Sequence, residues 1–327
     1  MKIIKLSVAF YVIAILLAID TYAQEKGEII LGVETSILPS PVWVAENKRY
    51  FQEEGLNVKI KEFGSGRSAL KTMLNEGNLD MVTCAQTPVM FNSFTRNDYA
   101  IIAAMVYSDS DVKVLARQDK GITKVSDLKD KKVGTTKGST GHYFLGLFMV
   151  YNDISFPDVK VVDLEATRLT QALVDGLVDA ISTWEPHIMN AKRSLGEKAI
   201  LLSGKGLYRE DFYFVAKKDF VKNNPDALKR FLKTINKAEE AIQKNKEEAI
   251  NIVYQRLNLN KEMVTSIWNE FTFELFLDQA ILTILENEAR WAIRNKLTDG
   301  EKVPNYLNFI YLDALQAVKP KRVTIIK

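Results

Sequence analysis

Short runs of β-branched and other apolar residues alternate along the chain with segments whose apolar residues recur at helical spacing. Residues 29–33 and 58–63 are predicted as strands. Pro41 suits the first turn of the helix after the first strand, and residues 64–66 form a glycine-rich turn into a second helix. A third strand is predicted at 81–84. This alternation is typical of an α/β domain with a largely parallel sheet.

A second series of the same kind begins near Lys132. Strands are predicted at 133–135, 159–163 and 179–182, with helical patterns between them and a turn at 138–140. The second series therefore predicts another α/β unit.

The pattern changes after residue 211. A strand is predicted at 212–216, and Asn224 followed by Pro225 is a favourable helix start, with asparagine as N-cap and proline in the first turn. The C-terminal third is predicted to be mainly helical and to close on a short strand at 323–326.

Two extended runs, 112–116 and 212–216, lie where one series gives way to the next. One interpretation is that they are simply sheet strands. The other is that they form the two crossovers of a two-lobed protein, in which one domain is inserted into the other, and both interpretations can hold at once. The predicted division is a leader at 1–23, a first lobe at 24–116 and 212–327, and an inserted second lobe at 117–211.

The first residues have the features of a secretory signal peptide. Lys2 and Lys5 precede an apolar run of about 14 residues at 6–19, which is short for a bilayer span. Small residues follow at 21 and 23, the two positions that a signal peptidase reads. We expect export and cleavage after Ala23. An uncleaved membrane anchor is the alternative. No cysteine follows the run, so a lipid anchor through an N-terminal cysteine is not expected.

Composition narrows the function classes. The chain has 327 residues, of which 47% are hydrophobic and 26% charged, as in ordinary globular proteins. A formal net charge of +3 does not indicate a nucleic-acid partner. Cys84 is the only cysteine, so neither an internal disulfide nor a cysteine-based metal site is available.

Five sequence phrases, in order along the chain, carry a resemblance to a known family. They are PVWVAENKRYFQEEGLNV at 41–58, GSGRSA at 64–69 with LNEGNLD at 74–80, VSDLKDKKVG at 125–134, GSTGH at 138–142 and DAISTWEP at 179–186. Together they resemble the nitrate/sulfonate/taurine-type periplasmic binding proteins, the NMT1/THI5-like group. Arg49 and the segment 129–131 depart from the family pattern, which has glycine at each place.

The resemblance implies a type II periplasmic-binding fold, with two lobes, each a largely parallel sheet flanked by helices, and a helical C-terminal extension. It implies an extracytoplasmic receptor that passes a small-molecule ligand to an ABC permease and its ATPase subunit. No cofactor, metal or nucleic acid is expected, and the protein is expected to be a monomer. Pocket residues vary within the family, so the identity of the ligand does not follow.

Three loops that enter helices are candidates for the ligand site, because helix N-termini present free N–H groups at the carboxyl ends of strands. The resemblance places all three at one cleft. The alternative for each loop is ordinary N-capping by serine or threonine. The candidates are Ser36, Leu38, Pro39 and Ser40 in the first loop, Cys84, Gln86 and Thr87 in the second, and Gly138, Ser139, Thr140 and His142 in the third.

Trp184 and Glu185 follow a predicted strand, where the indole would wall the cleft and the carboxylate would accept a hydrogen bond from a ligand amine. Alternatively, Trp184 is a core residue and Glu185 a first-turn helix charge. Ser108 and Asp109 are further candidates; the alternatives there are a solvated turn or a calcium site, for which the aspartate spacing falls short.

These candidates favour different charges on the ligand. Helix N-termini favour an anionic group, whereas Glu185 and Asp109 favour an amine, so a zwitterion such as an amino-sulfonate fits both. A neutral heterocycle is a further alternative.

Other function classes have weaker support. The chain has two histidines, no histidine pair at metal spacing and no Gly-x-Ser-x-Gly motif. A pyrimidine-synthesising enzyme shares the fold family, but its members carry a cysteine-rich motif. Gly64-x-Gly66-x-x-Ala69 is a partial dinucleotide-binding fingerprint. A receptor that feeds a sensor rather than an importer has the same sequence features.

Overall fold

The computed structural model describes residues 28–155, 158–202 and 204–326. The predicted signal peptide at 1–23 lies outside these residues. Within them, no helix combines the length and the apolar character that crossing a membrane requires.

The first sheet has six strands. They are β1 (Ile29–Glu34), β2 (Val58–Phe63), β3 (Met81–Ala85), β4 (Tyr99–Ser108), β10 (Glu210–Lys217) and β11 (Thr272–Phe276). Their order in the sheet is β11-β4-β10-β3-β1-β2. Strand β1 pairs in parallel with β2 and β3, whereas β10 pairs antiparallel with both β3 and β4.

The second sheet has five strands. They are β5 (Lys113–Arg117), β6 (Lys132–Thr135), β7 (Lys160–Asp163), β8 (Ala180–Thr183) and β9 (Ala199–Leu202). Their order in the sheet is β7-β6-β8-β5-β9. Strand β6 pairs in parallel with β7 and β8, and β5 pairs antiparallel with β8 and β9. The predicted two-lobed α/β class is confirmed, but both sheets are mixed, because the strands next to the crossovers run against their neighbours.

Helices flank both sheets and form the C-terminal extension, as predicted. In the first lobe they are α1 (Ser40–Asn47), α2 (Tyr50–Glu53), α3 (Gly66–Glu76) and α4 (Gln86–Ser93), and in the second α5 (Thr140–Tyr151), α6 (Ala166–Val174) and α7 (His187–Leu195). The C-terminal part contains α8 (Lys218–Asn223), α9 (Pro225–Lys244), α10 (Lys246–Arg256), α11 (Lys261–Ile267), α12 (Gln279–Arg294) and α13 (Asp313–Val318).

The chain passes between the sheets twice, at 109–112 and at 204–209. The predicted boundary after residue 116 assigns the run 112–116 to the first lobe. That assignment is wrong for β5, because β5 forms its hydrogen-bonded ladders with β8 and β9 of the second sheet. The other run does lie in the first sheet, as part of β10.

Two details of the C-terminal third differ from expectation. Asn224 does not cap α9 with its side chain; its Nδ2 donates instead to the carbonyl of Phe220 at 3.1 Å. No strand forms at 323–326, where Val323 makes one isolated bridge with Leu277.

Each lobe has its own apolar interior. One large cluster packs α1, α3, α9 and α12 against the first sheet, with Trp43 and Phe231 fully buried within it. Two smaller clusters lie on the second sheet, one around Phe144 and Phe148 and the other around Leu169 and Ile181. The lobes therefore have separate cores, and the space between them is lined by loops and strand ends.

Candidate functional site

A small cavity lies between the lobes at the carboxyl-end edge of the first sheet. Glu34 ends β1 and Ala85 ends β3, and Glu210 begins the antiparallel strand β10, so all three reach the same edge. The second lobe contributes Ser139, Thr140 and Trp184. The cavity has a volume of about 10 Å³, room for about one water molecule. Its lining residues are Glu34, Ser65, Gly66, Arg67, Ala85, Pro88, Ser139, Thr140, Trp184, Glu210 and Phe212.

Glu34 is a buried acid at the centre of this cavity. Its Oε2 accepts a hydrogen bond from the Gly66 amide at 2.5 Å, at the start of α3, but its Oε1 has no partner. Burial raises the pKa of Glu34 to about 7, the Gly66 hydrogen bond opposes this rise and the charge of Asp111 adds to it. The Trp184 indole and the Ser36 hydroxyl also lower this pKa, yet neither completes a hydrogen bond.

Glu210 and Asp111 form a pair of buried acids, with Asp111 within the first crossover and Glu210 directly after the second. The two carboxyls are hydrogen-bonded to each other, and no described amide, hydroxyl or ammonium donor reaches Glu210 Oε2 or Asp111 Oδ2. Burial raises the pKa of Glu210 well above its ordinary value, and the neighbouring charges of Asp111 and Glu34 raise it further. Burial also raises the pKa of Asp111, although Glu210 and Lys113 act in the opposite direction. The two carboxyls therefore hold protons that exposed carboxyls would release.

A larger, positively charged pocket opens beside the cavity and shares Arg67 and Pro88 with it. It has a volume of about 430 Å³. Among the residues that the structure describes, its lining contains three cations and no acid. The lining comprises Arg67, Lys71, Asn75, Pro88, Phe91 and Asn92 from the first lobe, Lys137, Gly138 and His142 from the second, and Leu297. We call this the mouth pocket.

Five of the predicted residues lie at these two spaces. Ser139, Thr140 and Trp184 line the cavity, and Gly138 and His142 line the mouth pocket. The Ser139 hydroxyl donates to the Thr136 carbonyl at 2.6 Å and does not cap α5. Burial and then Lys137 lower the pKa of His142 to about 4, so the imidazole is neutral at physiological pH.

The first predicted loop is mainly structural. The Ser36 carbonyl accepts from Trp43 Nε1 at 3.0 Å, and the Ser40 hydroxyl donates to the Ile37 carbonyl at 2.5 Å. Leu38 is buried in the first-lobe core and Pro39 precedes α1 as its N-cap residue. Of this group, Ser36 comes nearest to the cavity, through its effect on Glu34.

The second predicted loop does not exist as a loop, because α4 begins directly after β3. Cys84 is a buried strand residue, and burial, then Glu34 and Glu210, raise the pKa of its thiol well above the ordinary value. Gln86 joins α4 to the second crossover, donating to the Arg209 carbonyl and accepting from the Asp211 amide, both at 2.9 Å. Thr87 is buried, and hydrogen bonding with its hydroxyl partly offsets the rise that burial causes in the pKa of Glu288.

The remaining predicted residues lie beside the cavity and do not line it. Ser108 donates to the Glu270 carbonyl at 2.7 Å, and Asp109 is exposed. Glu185 is buried, but its Oε1 accepts from Lys113 at 2.9 Å and its Oε2 from the Met189 amide at 3.0 Å. The carboxylate that was expected to meet a ligand amine is therefore already occupied.

Sequence reasoning missed Glu34, Glu210 and Arg67, which line the cavity, and it missed Asp111, which pairs with Glu210. Glu34 had a usable signal, because it is a single acid at the end of the apolar run 29–33. Asp111 stands two residues from the candidate Asp109, and Glu210 lies between Arg209 and Asp211, where nothing distinguishes it in the sequence.

The arrangement is suited to binding. Ser139 and His142, three residues apart at the start of α5, take part in separate hydrogen bonds. The Ser139 hydroxyl donates to the Thr136 carbonyl, and the His142 Nδ1 accepts from the Gly138 amide at 3.3 Å. Across the described chain, no three histidine, cysteine, aspartate or glutamate side chains are grouped so that they could hold a metal ion.

Comparison with known proteins agrees with this architecture. The family model described as NMT1/THI5 like matches residues 39–249. A Bacillus subtilis protein named for binding aliphatic sulfonates is 29% identical over 283 residues, which are 84% of this chain and 84% of that protein.

Solved structures share the fold at lower identity. The alkanesulfonate-binding protein SsuA from Xanthomonas axonopodis pv. citri, bound to MOPS, superposes with a TM-score of 0.79 at 19% identity, over 89% of this chain and 100% of that one. The desulfurization enzyme DSZB superposes with a TM-score of 0.65 at 12% identity, over 90% of this chain and 99% of that one. The fold therefore occurs in both binding proteins and an enzyme.

Proposed function

Because the chain belongs to the NMT1/THI5-like family, we propose that it is the solute-binding receptor of an ABC importer. In this proposal the receptor is exported, its leader is removed after Ala23, and it acts as a monomer that carries no lipid anchor. It delivers its ligand to a membrane permease and the associated ATPase subunit. The similarity to a sulfonate-binding relative supports the class of function.

The observation that carries the proposal is a cavity with walls from both lobes. Glu34 and Glu210 come from the first lobe, and Thr140 and Trp184 from the second. A solute held there would contact both lobes only when they are closed, so it would shift the open–closed equilibrium toward the closed form. The volume of about 10 Å³ leaves no room for an organic solute, so the cleft has to open before one enters.

The proposed ligand is a small anionic or zwitterionic organic solute, of the sulfonate or taurine type. Three cations at the mouth pocket support a negatively charged group on the ligand. No chemical step is part of the proposal. Cys84, the only thiol in the sequence, is buried in the first-lobe core, and burial raises its pKa well above the ordinary value, so it is poorly suited to act as a nucleophile.

The proposal is tested by calorimetry and small-angle X-ray scattering on the purified chain after any bound solute has been removed. Taurine, ethanesulfonate, nitrate and simple amines are titrated separately. We expect heat from at least one of them and a smaller radius of gyration at saturation. Absence of heat with every charged probe would refute the proposed ligand class, and an unchanged scattering profile at saturation would refute closure.

A further inference from the structure

One tryptophan of the C-terminal extension reaches across to the second lobe. Trp291 lies on α12, a helix that belongs to the first lobe, because its residues Leu285 and Ala289 are buried in the first-lobe core. The indole contacts α5 of the second lobe edge-to-face, with its ring centroid 5.2 Å from that of His142 and 5.1 Å from that of Tyr143. Two aromatic contacts therefore join the lobes at this point.

Helix α5 has a notch that fits this indole. Gly146 lies about one helical turn after His142, on the same face of the helix. A Cβ at position 146 would lie 2.7 Å from Trp291 Nε1, closer than Cβ atoms approach other heavy atoms in real structures. A glycine in the interior of a helix is unfavourable relative to alanine, and the close approach of Trp291 gives a physical reason for one at this place.

The contact extends from α5 to the segment 138–142, which lines both the mouth pocket and the cavity. The His142 Nδ1 accepts a hydrogen bond from the Gly138 amide at 3.3 Å, across the turn that begins α5. Burial and then the charge of Lys137 lower the pKa of His142 to about 4, while Asp163 acts in the opposite direction. The imidazole is therefore neutral at physiological pH, and Nδ1 keeps the lone pair that accepts from Gly138.

The same indole also supports the first-lobe wall of the mouth pocket. Phe91 on α4 lines this pocket, and its ring lies edge-on to that of Trp291, with the centroids 6.4 Å apart. Leu297, which follows α12, lines the pocket as well. Trp291 therefore lies behind mouth-pocket residues of both lobes.

We propose that Trp291 is a positioning residue that clasps the two lobes together and holds the segment 138–142 where it meets the solute. Trp291 is not one of the described residues that line the cavity or the mouth pocket, so it acts through His142 and Phe91. Helix α12 lies beyond residues 39–249, which the family model matches, so the clasp does not follow from membership of the family. The role in solute binding rests on the proposed receptor function, whereas the clasp itself can be tested without a solute.

The first test is a proton NMR titration of His142 and His187, the two histidines of the sequence, between about pH 5 and 8. Trp291→Ala should let water reach the His142 imidazole, so its pKa should rise from about 4 toward the ordinary value of 6.5. His187, also buried with a pKa of about 4, packs against Trp184 and should not change. Trp291→Phe, which keeps a ring, should hold the pKa of His142 low. A His142 that does not titrate in this range in Trp291→Ala overturns the proposal.

Hydrogen exchange separates a clasp from a general loss of stability. In ligand-free Trp291→Ala, the amides of 138–146 should exchange at least about ten-fold faster, whereas those of β1 and β3 should keep their rates. Phe309→Leu is the matched control, because Phe309 is an aromatic residue of the same extension whose ring packs on Tyr99 and Tyr306 of the first lobe. This control should leave 138–146 unchanged. Faster exchange spread evenly over both lobes in Trp291→Ala contradicts the clasp.

A double-mutant cycle tests the notch. Gly146→Ala should speed exchange at 138–142, because the new Cβ would displace the indole. The same substitution in the Trp291→Ala background should have little effect, since the obstructing ring is gone. Effects of the two substitutions that simply add would overturn the notch contact.

Stopped-flow binding of taurine and ethanesulfonate connects the clasp to the receptor. Trp291→Ala should raise the dissociation rate constant by about ten-fold and change the association rate constant little, because ring contacts of the closed form are lost. A dissociation rate equal to that of the parent overturns the role in solute binding. If neither probe binds the parent, the proposed ligand class is wrong, and the NMR and exchange measurements still decide whether the clasp exists.

Discussion

Replacing Lys113 with methionine should strongly destabilise the junction between the lobes. Lys113 lies on β5 of the second sheet and bonds Glu185 after β8 at 2.9 Å. It also bonds Glu270 at 2.7 Å, next to β11 of the first sheet. One ammonium therefore joins the two lobes, and methionine keeps most of its apolar stem while removing the charge.

The expected magnitude follows from burial. The side chains of Lys113 and Glu185 are 13% and 1% exposed, whereas that of Glu270 is 27% exposed. Removing one partner of a buried ion pair typically costs about 3–5 kcal/mol, because the remaining charge is left without compensation. Since Glu185 can take up a proton and keeps the Met189 hydrogen bond, we expect a loss near the lower end of this range, about 3 kcal/mol.

The assay is urea unfolding followed by tryptophan fluorescence at neutral pH. Lys229→Met is the matched control: its ion pair with Asp226 at 3.3 Å has side chains that are 45% and 88% exposed, and its loss should change stability by about 0–1 kcal/mol. Adding Glu185→Gln to Lys113→Met should recover part of the loss by removing the orphaned charge. A Lys113→Met variant within about 1 kcal/mol of the parent would refute the argument.

Three further predictions follow from the same structure. In Gly146→Leu, the new Cβ would lie 2.7 Å from Trp291 Nε1 across the lobe interface, so scattering should show a less compact particle and solute affinity should fall; a compact variant would contradict this. In Gly141→Ala, the Cβ would lie 2.6 Å from the Ser182 carbonyl, so urea unfolding should show a loss of about 1–3 kcal/mol. Because the folded pKa of Glu34 is raised from 4.5 to about 7, stability should decline as pH rises between these values, by at most about 3 kcal/mol; Glu34→Gln should flatten this decline in pH-dependent urea unfolding.

The alternation of strands and helices could be predicted from the sequence because each buried strand is a short apolar run with a turn on either side. The run 29–33 is an example: β1 lies between β2 and β3, and both faces of the strand are covered. The sequence prediction placed the first crossover a few residues too late. The apolar run 112–116 would have the same pattern in a strand of either sheet. Only the partners β8 and β9 decide that question, and their positions depend on tertiary pairing.

The candidate site could be predicted only in part, for a related reason. Ser139, Thr140 and Trp184 were found because they follow strands and begin helices, which is a local feature. Glu185 and Asp111 show that local sequence features do not reveal the partner of a buried carboxylate. Both are acids near strand ends, but one carboxylate meets Lys113 and the other faces Glu210. That difference depends on side chains distant in sequence.

The acids of the cavity also suggest why closure would require the ligand. When the lobes close without a solute, Glu34 and Glu210 leave water and become protonated, which is unfavourable at neutral pH. Opening would return them to water, because the opposite wall, with Thr140 and Trp184, belongs to the other lobe. A solute that donates hydrogen bonds to these carboxyls would remove this penalty only in the closed form. The same carboxyls would therefore disfavour an empty closed receptor, so that the closed shape would report that the solute is bound.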